Sequence, residues 1–499
     1  MINKNKDLIF VLFFSALVLI TRIYNLTGIP IFTDEAIYIR WAQIGLADPV
    51  HRYISLTDGK QPLLTWLMYP LLLVFEDPLV AGRLVSVAAG VFSVIGIYLL
   101  TNTLFIRKTA IIASLLYIFS PFALVYDKLA LMDSLLATFA IWSLYLQVLQ
   151  VKYLRLDISL LLGATVGLGL MTKSSAMFFL YLLPFGLLLF RLKGKDNRIR
   201  LFRWILYSVL SSIIALIMYN SLRLSPMFYI IEQKNYSFIL TFSEFLRSPF
   251  KLFLPNLNGL STFLRDYFTI PVLILALANV IYSIVKFRLK ILVLFAWFIV
   301  PFLALAAFGK ILFPRFILFM SLPLLLISAE FISMLLDNAR RKKNYIFALI
   351  AISLIFPVYN SLTLLINPVK ANIPEIDRNQ LFNDWPSGYG VKEVVHYIEK
   401  QATGQTVVIG TEGTFGLNPA VYEIYLKQNK NVIILGFWPV SEVPVELLSY
   451  AKDHPTFLVF KDRQTFPPEW PLELVAKYQR GTGKTYLYFF RVLPENEKY

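Results

Sequence analysis

From residue 8 to residue 366 this chain repeats one feature: apolar runs long enough to cross a lipid bilayer as a helix. Such runs leave few options. In hydrocarbon each backbone N–H and C=O must be bonded within its own segment, so the runs are helices. We read about eleven transmembrane helices, at 8–24, 82–105, 109–126, 132–150, 156–172, 175–191, 203–220, 267–286, 291–308, 315–336 and 345–366. The composition agrees: 57% of the residues are hydrophobic and 16% charged, against about 45–50% and about 25% in soluble domains.

The charge distribution sets a topology. With the N-terminus in the cytoplasm, the inner loops carry Arg107 and Lys108, Lys152 and Arg155, the basic stretches at 191–203 and 286–290, and the run at 340–343. The short outer loops carry only Lys128, Lys173, Lys310 and Arg315. That asymmetry is the positive-inside rule. It accounts for the net charge of +16 without nucleic acid, which is excluded as a partner. The first span follows Lys4 and Lys6 without a small-residue cleavage site and reads as retained. The chain has no cysteine, which excludes disulfides and thiolate metal sites. His51, His396 and His454 are too scattered for a zinc pair.

Three segments then face outward: 25–81, 221–266 and the region from 367 onward. The last changes character. Short β-branched stretches (QTVVIG, NVIILGF, TFLVF, TYLYFFRVL) alternate with helical spacing at GYGVKEVVHYIEKQ and PAVYEIYLKQ. We expect a transmembrane domain at 1–366 and a soluble extracytoplasmic α/β domain at 367–499. GTEGTFG (410–416) and RGTGKT (480–485) lack the spacing of a phosphate loop and read as turns. NDWPSG (383–388) reads as the linker into the last domain.

The outer face holds the residues with chemical potential. Asp34 and Glu35 open the stretch DEAIYIRWAQIGL, whose Ile37, Trp41 and Ile44 spacing predicts an amphipathic interfacial helix. Acids in a first turn are favoured electrostatically, with Thr33 as a cap, so a purely structural role is equally open. Lys60 precedes Pro62 and an apolar segment too short to span, a second surface helix; it is also placed to meet lipid headgroups. Asp133 opens a span beside Ser134, with Lys128 in reach as a partner. Lys173, Lys310 and Arg315 are cations on the wrong side of the membrane, where an anionic ligand or the headgroups themselves would hold them.

These residues have a resemblance. The acidic pair after the first span, the Lys-x-Pro-Leu stretch, the Met-Asp-Ser start of a span and Arg315 with Pro323 eight residues on resemble the GT-C superfamily of polyprenol-phosphate-sugar-dependent glycosyltransferases. The likeness lies with the protein O-mannosyltransferases and lipid A aminoarabinose transferases, over about residues 8–366. It implies Asp34 as catalytic base, with Glu35 beside it and Asp133 shaping the acceptor or metal site. Lys60 and Arg315 would be donor-phosphate ligands, with Lys310 and Lys173 as further cations. Some relatives carry Glu-Lys-Pro-Pro where this chain has Gly59-Lys60-Gln61-Pro62. Gly59 therefore removes a carboxylate that can serve a metal. A divalent cation stays an option, with Asp34, Asp58 and Asp133 as candidate ligands. The Trp-Trp-Asp motif of oligosaccharyltransferases is absent.

The expected activity moves a hexose-like sugar from a polyprenyl-phosphate carrier to a hydroxyl on a protein, lipid or cell-wall glycan, with inversion, among the lipids of the cell membrane. A transporter or flippase for an anionic lipid is the rival; it requires broken helices in two matching halves. A non-catalytic scaffold would leave the outer charges unexplained.

Overall fold

A computed structural model describes residues 4–190, 196–337, 343–426 and 428–494. The basic positions at 191–195 and 340–342 lie outside the described residues. The chain divides into two compact units: residues 1–25, 53–66 and 83–374 in the first, and 26–52, 67–82 and 375–499 in the second.

The first unit is helical. Among the described residues five helices are long and apolar enough to cross a membrane: Pro78–Leu104, Met132–Tyr153, Asn197–Leu224, Leu289–Phe308 and Pro314–Asp337. Shorter apolar helices include Leu156–Thr172 and Ile350–Ile366. Three expected spans differ from plain helices. The run at 109–126 is helix Arg107–Ile118 followed by a short helix Pro121–Tyr126, because Pro121 cannot continue the preceding ladder. The run at 175–191 is a chain of short helical turns, Ser174–Ala176, Met177–Tyr181 and Leu183–Leu189, with Pro184 at the last break. The span at 267–286 begins after a bend of 111° between helices Phe253–Phe268 and Ile270–Val285. At that bend Thr269 has φ +63° and Pro271 follows. A β-branched residue rarely adopts that conformation.

Buried polar groups tie these helices together. Arg22, fully buried at the end of helix Lys4–Ile23, pairs with Asp127 at 3.2 Å and donates to the Ile118 carbonyl at 2.7 Å. Asp127 also accepts from Tyr117 at 2.9 Å and from Ser134. A buried carboxylate and guanidinium persist only with such multiple partners.

The second unit carries one mixed sheet, ordered β2-β1-β3-β5-β4. Its strands are β1 Val407–Glu412, β2 Val432–Phe437, β3 Thr456–Phe460, β4 Leu472–Gln479 and β5 Tyr486–Val492. β1 runs parallel to β2 and β3; β5 runs antiparallel to β3 and β4. β4 mixes exposed and half-buried residues along LELVAKYQ, with a register shift between Leu474 and Ala476, and has no β-branched core run, so the sequence did not announce it. The stretch 480–485 is the β4–β5 turn, closed by Arg480 N–H to the Thr485 carbonyl at 3.1 Å. Of 410–416, the first three residues belong to β1 and the rest form a turn with Gly413 at φ +120° and Gly416 at φ +106°.

Helix Thr33–Ala47 belongs to this unit, and it is not an amphipathic surface helix. Ile37, Tyr38, Ile39, Arg40 and Trp41 are all buried. It packs on helix Leu417–Leu426. Arg40 pairs with Glu423 at 2.6 Å, and Gln43 donates to the Ile424 carbonyl at 2.9 Å. Its polar residues therefore face protein partners, which helical periodicity cannot distinguish from water.

Candidate active site

In the first unit, Gly59 builds the approach to Lys60. It sits at φ +67°, and a Cβ there would lie 2.8 Å from the Ile230 carbonyl oxygen. Only glycine lets the loop come that close to helix Ile230–Phe238. Asp58 spends its carboxylate on Lys234 of that helix. The next residue after Lys60, Gln61, donates to Ser174 at 2.7 Å, and Asn235 donates to the same hydroxyl at 3.2 Å. Three distant parts of the chain thus meet at one serine.

Aromatic rings organise the cations. Phe238 and Phe316 meet edge to face at 6.0 Å, and Phe313 meets Phe316 likewise at 5.6 Å. The Lys60 ammonium stands over Phe238 at 5.4 Å, Lys173 over Phe316 at 4.7 Å and the Arg315 guanidinium over Phe313 at 4.9 Å. Three cations therefore ride on three touching rings, each contact worth about 0.5–2 kcal/mol depending on solvation. Lys173 also bonds Asp133 at 2.6 Å. Asp133 lies in the first turn of helix Met132–Tyr153, where a carboxylate is favoured. Its partner is Lys173, not Lys128, which instead donates to the Tyr24 carbonyl at 2.8 Å.

Lys310 joins through its backbone. Its N–H donates to the Phe238 carbonyl at 2.7 Å, while its ammonium holds Glu244 and the Tyr236 carbonyl, each at 3.1 Å. The Thr241 backbone and hydroxyl donors, then Lys310, pull the Glu244 carboxyl down to a pKa of about 2. Lys310 thereby locks the segment that presents Phe238.

The acidic pair lies in the second unit. Its geometry is set by residues 386–388. Thr33 donates to the Pro386 carbonyl from both its N–H (3.1 Å) and hydroxyl (3.0 Å), and Gly388 N–H donates to the Ile31 carbonyl at 2.8 Å. NDWPSG is thus more than a linker: it clamps the strand leading into the acids. Glu35 is fully buried and accepts the Phe32 N–H at 3.0 Å, capping the helix from its third residue. Asp34 is half-buried beside it.

The structure brings Lys60, Asp133, Lys173, Arg315 and Lys310 into one cluster; Asp34 and Glu35 stand in the other unit. Among the described residues no group of three or more His, Asp or Glu side chains is placed to hold a metal. The donor set of Asp58 and Asp133 does not fit a divalent cation, since each already faces a lysine ammonium. The rings of Phe238, Phe313 and Phe316, with Ser174 and Asn235, were not singled out in the sequence. FPRF at 313–316 shows two of them flanking Arg315; nothing local marks Phe238.

Known structures share this architecture. ArnT from Cupriavidus metallidurans in the apo state matches at a TM-score of 0.58 with 15% identity, over 96% of this chain and 97% of that one. The same protein bound to undecaprenyl phosphate matches with 14% identity and a TM-score of 0.58, over the same shares. The oligosaccharyltransferase AglB from Archaeoglobus fulgidus, in complex with an inhibitory peptide and a dolichol-phosphate, matches at 0.57 with 14% identity, over 92% of this chain and 69% of that one. No curated protein sequence matches. At these identities the likeness is one of fold. Residues 59–222, about a third of the chain, match the dolichyl-phosphate-mannose-protein mannosyltransferase family.

Proposed function

We propose that the chain transfers a hexose-like sugar from a polyprenyl-phosphate carrier to a hydroxyl acceptor, on the outer face of the cell membrane, with the N-terminus in the cytoplasm. The observation that carries this reading is the gathering of Lys60, Lys173 and Arg315 on the Phe238–Phe316–Phe313 rings. Cations over rings with an acid beside them suit a phosphate attached to an apolar lipid. That ArnT is seen with undecaprenyl phosphate and AglB with a dolichol-phosphate supports the choice of carrier.

The reaction is a single displacement. The acceptor oxygen bonds to the anomeric carbon while the bond from that carbon to the phosphate oxygen breaks. Asp34 takes the hydroxyl proton. Lys60 and Arg315 hold the phosphate and stabilise the charge it gains as it leaves. Asp133 fixes Lys173 toward the same phosphate, and Lys310 holds the segment bearing Phe238. Glu35 serves by capping the helix that carries Asp34. Inversion follows because no covalent enzyme intermediate intervenes. A protein, lipid or cell-wall glycan would accept the sugar.

The test incubates purified protein with labelled polyprenyl-phosphate sugars and follows release of polyprenyl phosphate. Wild type should release it, and Asp34→Asn should not while remaining folded. Full transfer by Asp34→Asn would refute the reading. The transporter reading needs broken helices in matching halves; breaks near Pro121, along 174–189 and at Thr269 are present among the described residues, and it stands as the alternative.

A further inference from the structure

The bend at Thr269 also shapes a hollow that the transfer reaction does not use. A cavity of about 480 Å³ lies between it and the end of helix Lys343–Ile366. Its polar lining is Arg265, Asp266, Thr269, Asn360, Lys370 and Asn372. Beside it runs a second hollow of about 310 Å³, apolar but for Ser120 and the Tyr267 hydroxyl. Tyr267, Phe268 and Val272 line the apolar hollow, while Thr269, Ile270 and Pro271 between them line the polar one. Along the other wall Leu354, Pro357 and Val358 face the apolar hollow, and Phe356, Tyr359 and Asn360 the polar one. Consecutive residues of the same two segments build both, so the hollows lie side by side.

Their placement matches a lipid. The polar cavity sits where apolar helix Ile270–Val285 starts and apolar helix Lys343–Ile366 ends, the level of headgroups. The apolar groove extends from there along residues 325–336 and 347–358. Eleven helical steps at about 1.5 Å each make it about 17 Å long, half a bilayer core or slightly more.

The polar chemistry narrows the head. Arg265 and Lys370 supply two cations. Asp266 pairs with Arg265 at 3.0 Å. That carboxylate opposes a second phosphate charge, as a monoester would bring, but accepts from a hydroxyl. A volume near 480 Å³ also exceeds what a bare phosphate needs and lies in the range of small-molecule sites. The Thr269 hydroxyl is buried without a hydrogen-bond partner. Its backbone is held at φ +63°, a strained conformation of the kind that collects at ligand sites. An orphaned hydroxyl of this sort requires a partner.

We propose that this double hollow binds an anionic phosphodiester lipid with a hydroxylated head, of the phosphatidylglycerol class. Arg265 and Lys370 meet the phosphate. Asp266, Thr269 and Asn360, whose amide also bonds the Asn372 backbone carbonyl (2.6 Å) and N–H (2.7 Å), meet the head hydroxyls, and one acyl chain lies in the groove.

The test uses full-length protein in lipid nanodiscs containing a photoreactive phosphatidylglycerol. Label should appear in peptides covering 265–272 and 356–372. Unlabelled phosphatidylglycerol should compete for it, and neither phosphatidylcholine nor polyprenyl phosphate should. Arg265→Glu with Lys370→Glu should lower labelling about tenfold or more, two charge-assisted contacts being lost. Arg265→Lys with Lys370→Arg should retain it, and Leu354→Trp, filling the groove, should reduce it. Sugar-donor turnover reports whether each variant is folded, and is expected to persist in all. Label elsewhere, or label undiminished in the Glu variant, overturns the proposal. Equal competition by phosphatidylcholine would reduce the site to a greasy groove. Stronger competition by polyprenyl phosphate would make it a carrier site.

Discussion

The Asp133–Lys173 pair offers the sharpest perturbation, because its two members are unequally buried. The Asp133 side chain is 4% exposed and that of Lys173 24%, at 2.6 Å. Lys173→Met strands a buried carboxylate. Stranding one member of a fully buried pair costs about 3–5 kcal/mol; with a quarter of Lys173 in solvent, about 2–3 kcal/mol is the expectation. Asp133→Asn strands a lysine that can still reach water and keeps the Phe316 ring, so it should cost less, about 1–2 kcal/mol. The double variant removes both charges and should cost less than Lys173→Met alone. The coupling, of the order of 1–2 kcal/mol, is read from chemical unfolding of the four proteins in one detergent. Turnover should behave differently. If Lys173 holds departing phosphate, the double variant remains slow, by about a hundredfold, although its stability is restored. Additive stabilities would refute the burial argument, and a double variant with wild-type turnover would refute the phosphate role.

Other expectations follow from the same geometry. Glu35→Ala should destabilise by about 1–2 kcal/mol through the lost cap, while Asp34→Asn should abolish transfer with secondary structure by circular dichroism unchanged. A Cβ at Gly388 would lie 2.8 Å from the Ile31 carbonyl oxygen, so Gly388→Ala should displace the clamp at residues 31–33 and lower turnover by at least about tenfold at unchanged secondary structure by circular dichroism. The Glu244 carboxyl, held at a pKa of about 2, is depressed below its unfolded value near 4.5. Its contribution is full above that value and lost as pH falls toward 2; in Glu244→Gln the unfolding midpoint should be flatter across that acid window.

What the sequence disclosed follows the strength of each physical signal. Length and hydropathy located most of the long apolar helices, five of which are long and apolar enough to cross a membrane among the described residues, because a helix in lipid must be apolar for its whole length. They did not locate the breaks at Pro121 and Thr269, since an apolar residue scores alike in a straight helix and a bent one. Four strands were visible as β-branched runs, and β4 was hidden by its charged, half-exposed and irregular pattern. Lys173, Lys310 and Arg315 stood out because each breaks the charge rule, and Lys60 because it precedes Pro62 and an apolar segment too short to span; the structure gathers all four. The rings that gather them had no such mark. Phe238 is one of 42 phenylalanines, and its role depends on residues 58–61, 174 and 310 reaching it from far along the chain. Helix Thr33–Ala47 misled for the converse reason: Arg40 and Gln43 look like a solvated face until Glu423 and Ile424 are placed against them.

The aromatic seat under the cations has a chemical consequence. A lysine held only by carboxylates would have its charge spent before a phosphate arrived, and a lysine held only by water would lose rotamer entropy on binding it. A ring face fixes an ammonium in place yet accepts no hydrogen bond of normal strength, so the seat itself does not compete with an arriving oxyanion. Lys173 stands between the two regimes, with Asp133 on one side and Phe316 on the other. Replacing Phe316 by Leu should therefore separate seat from charge. Packing volume is nearly kept, all cations remain, and the affinity for the phosphate carrier should fall through lost preorganisation. Measured as KM for a polyprenyl-phosphate sugar, the loss should be about threefold to tenfold, with kcat changed less. A KM untouched by Phe316→Leu would show that the rings serve packing alone, and that the cations find the phosphate without them.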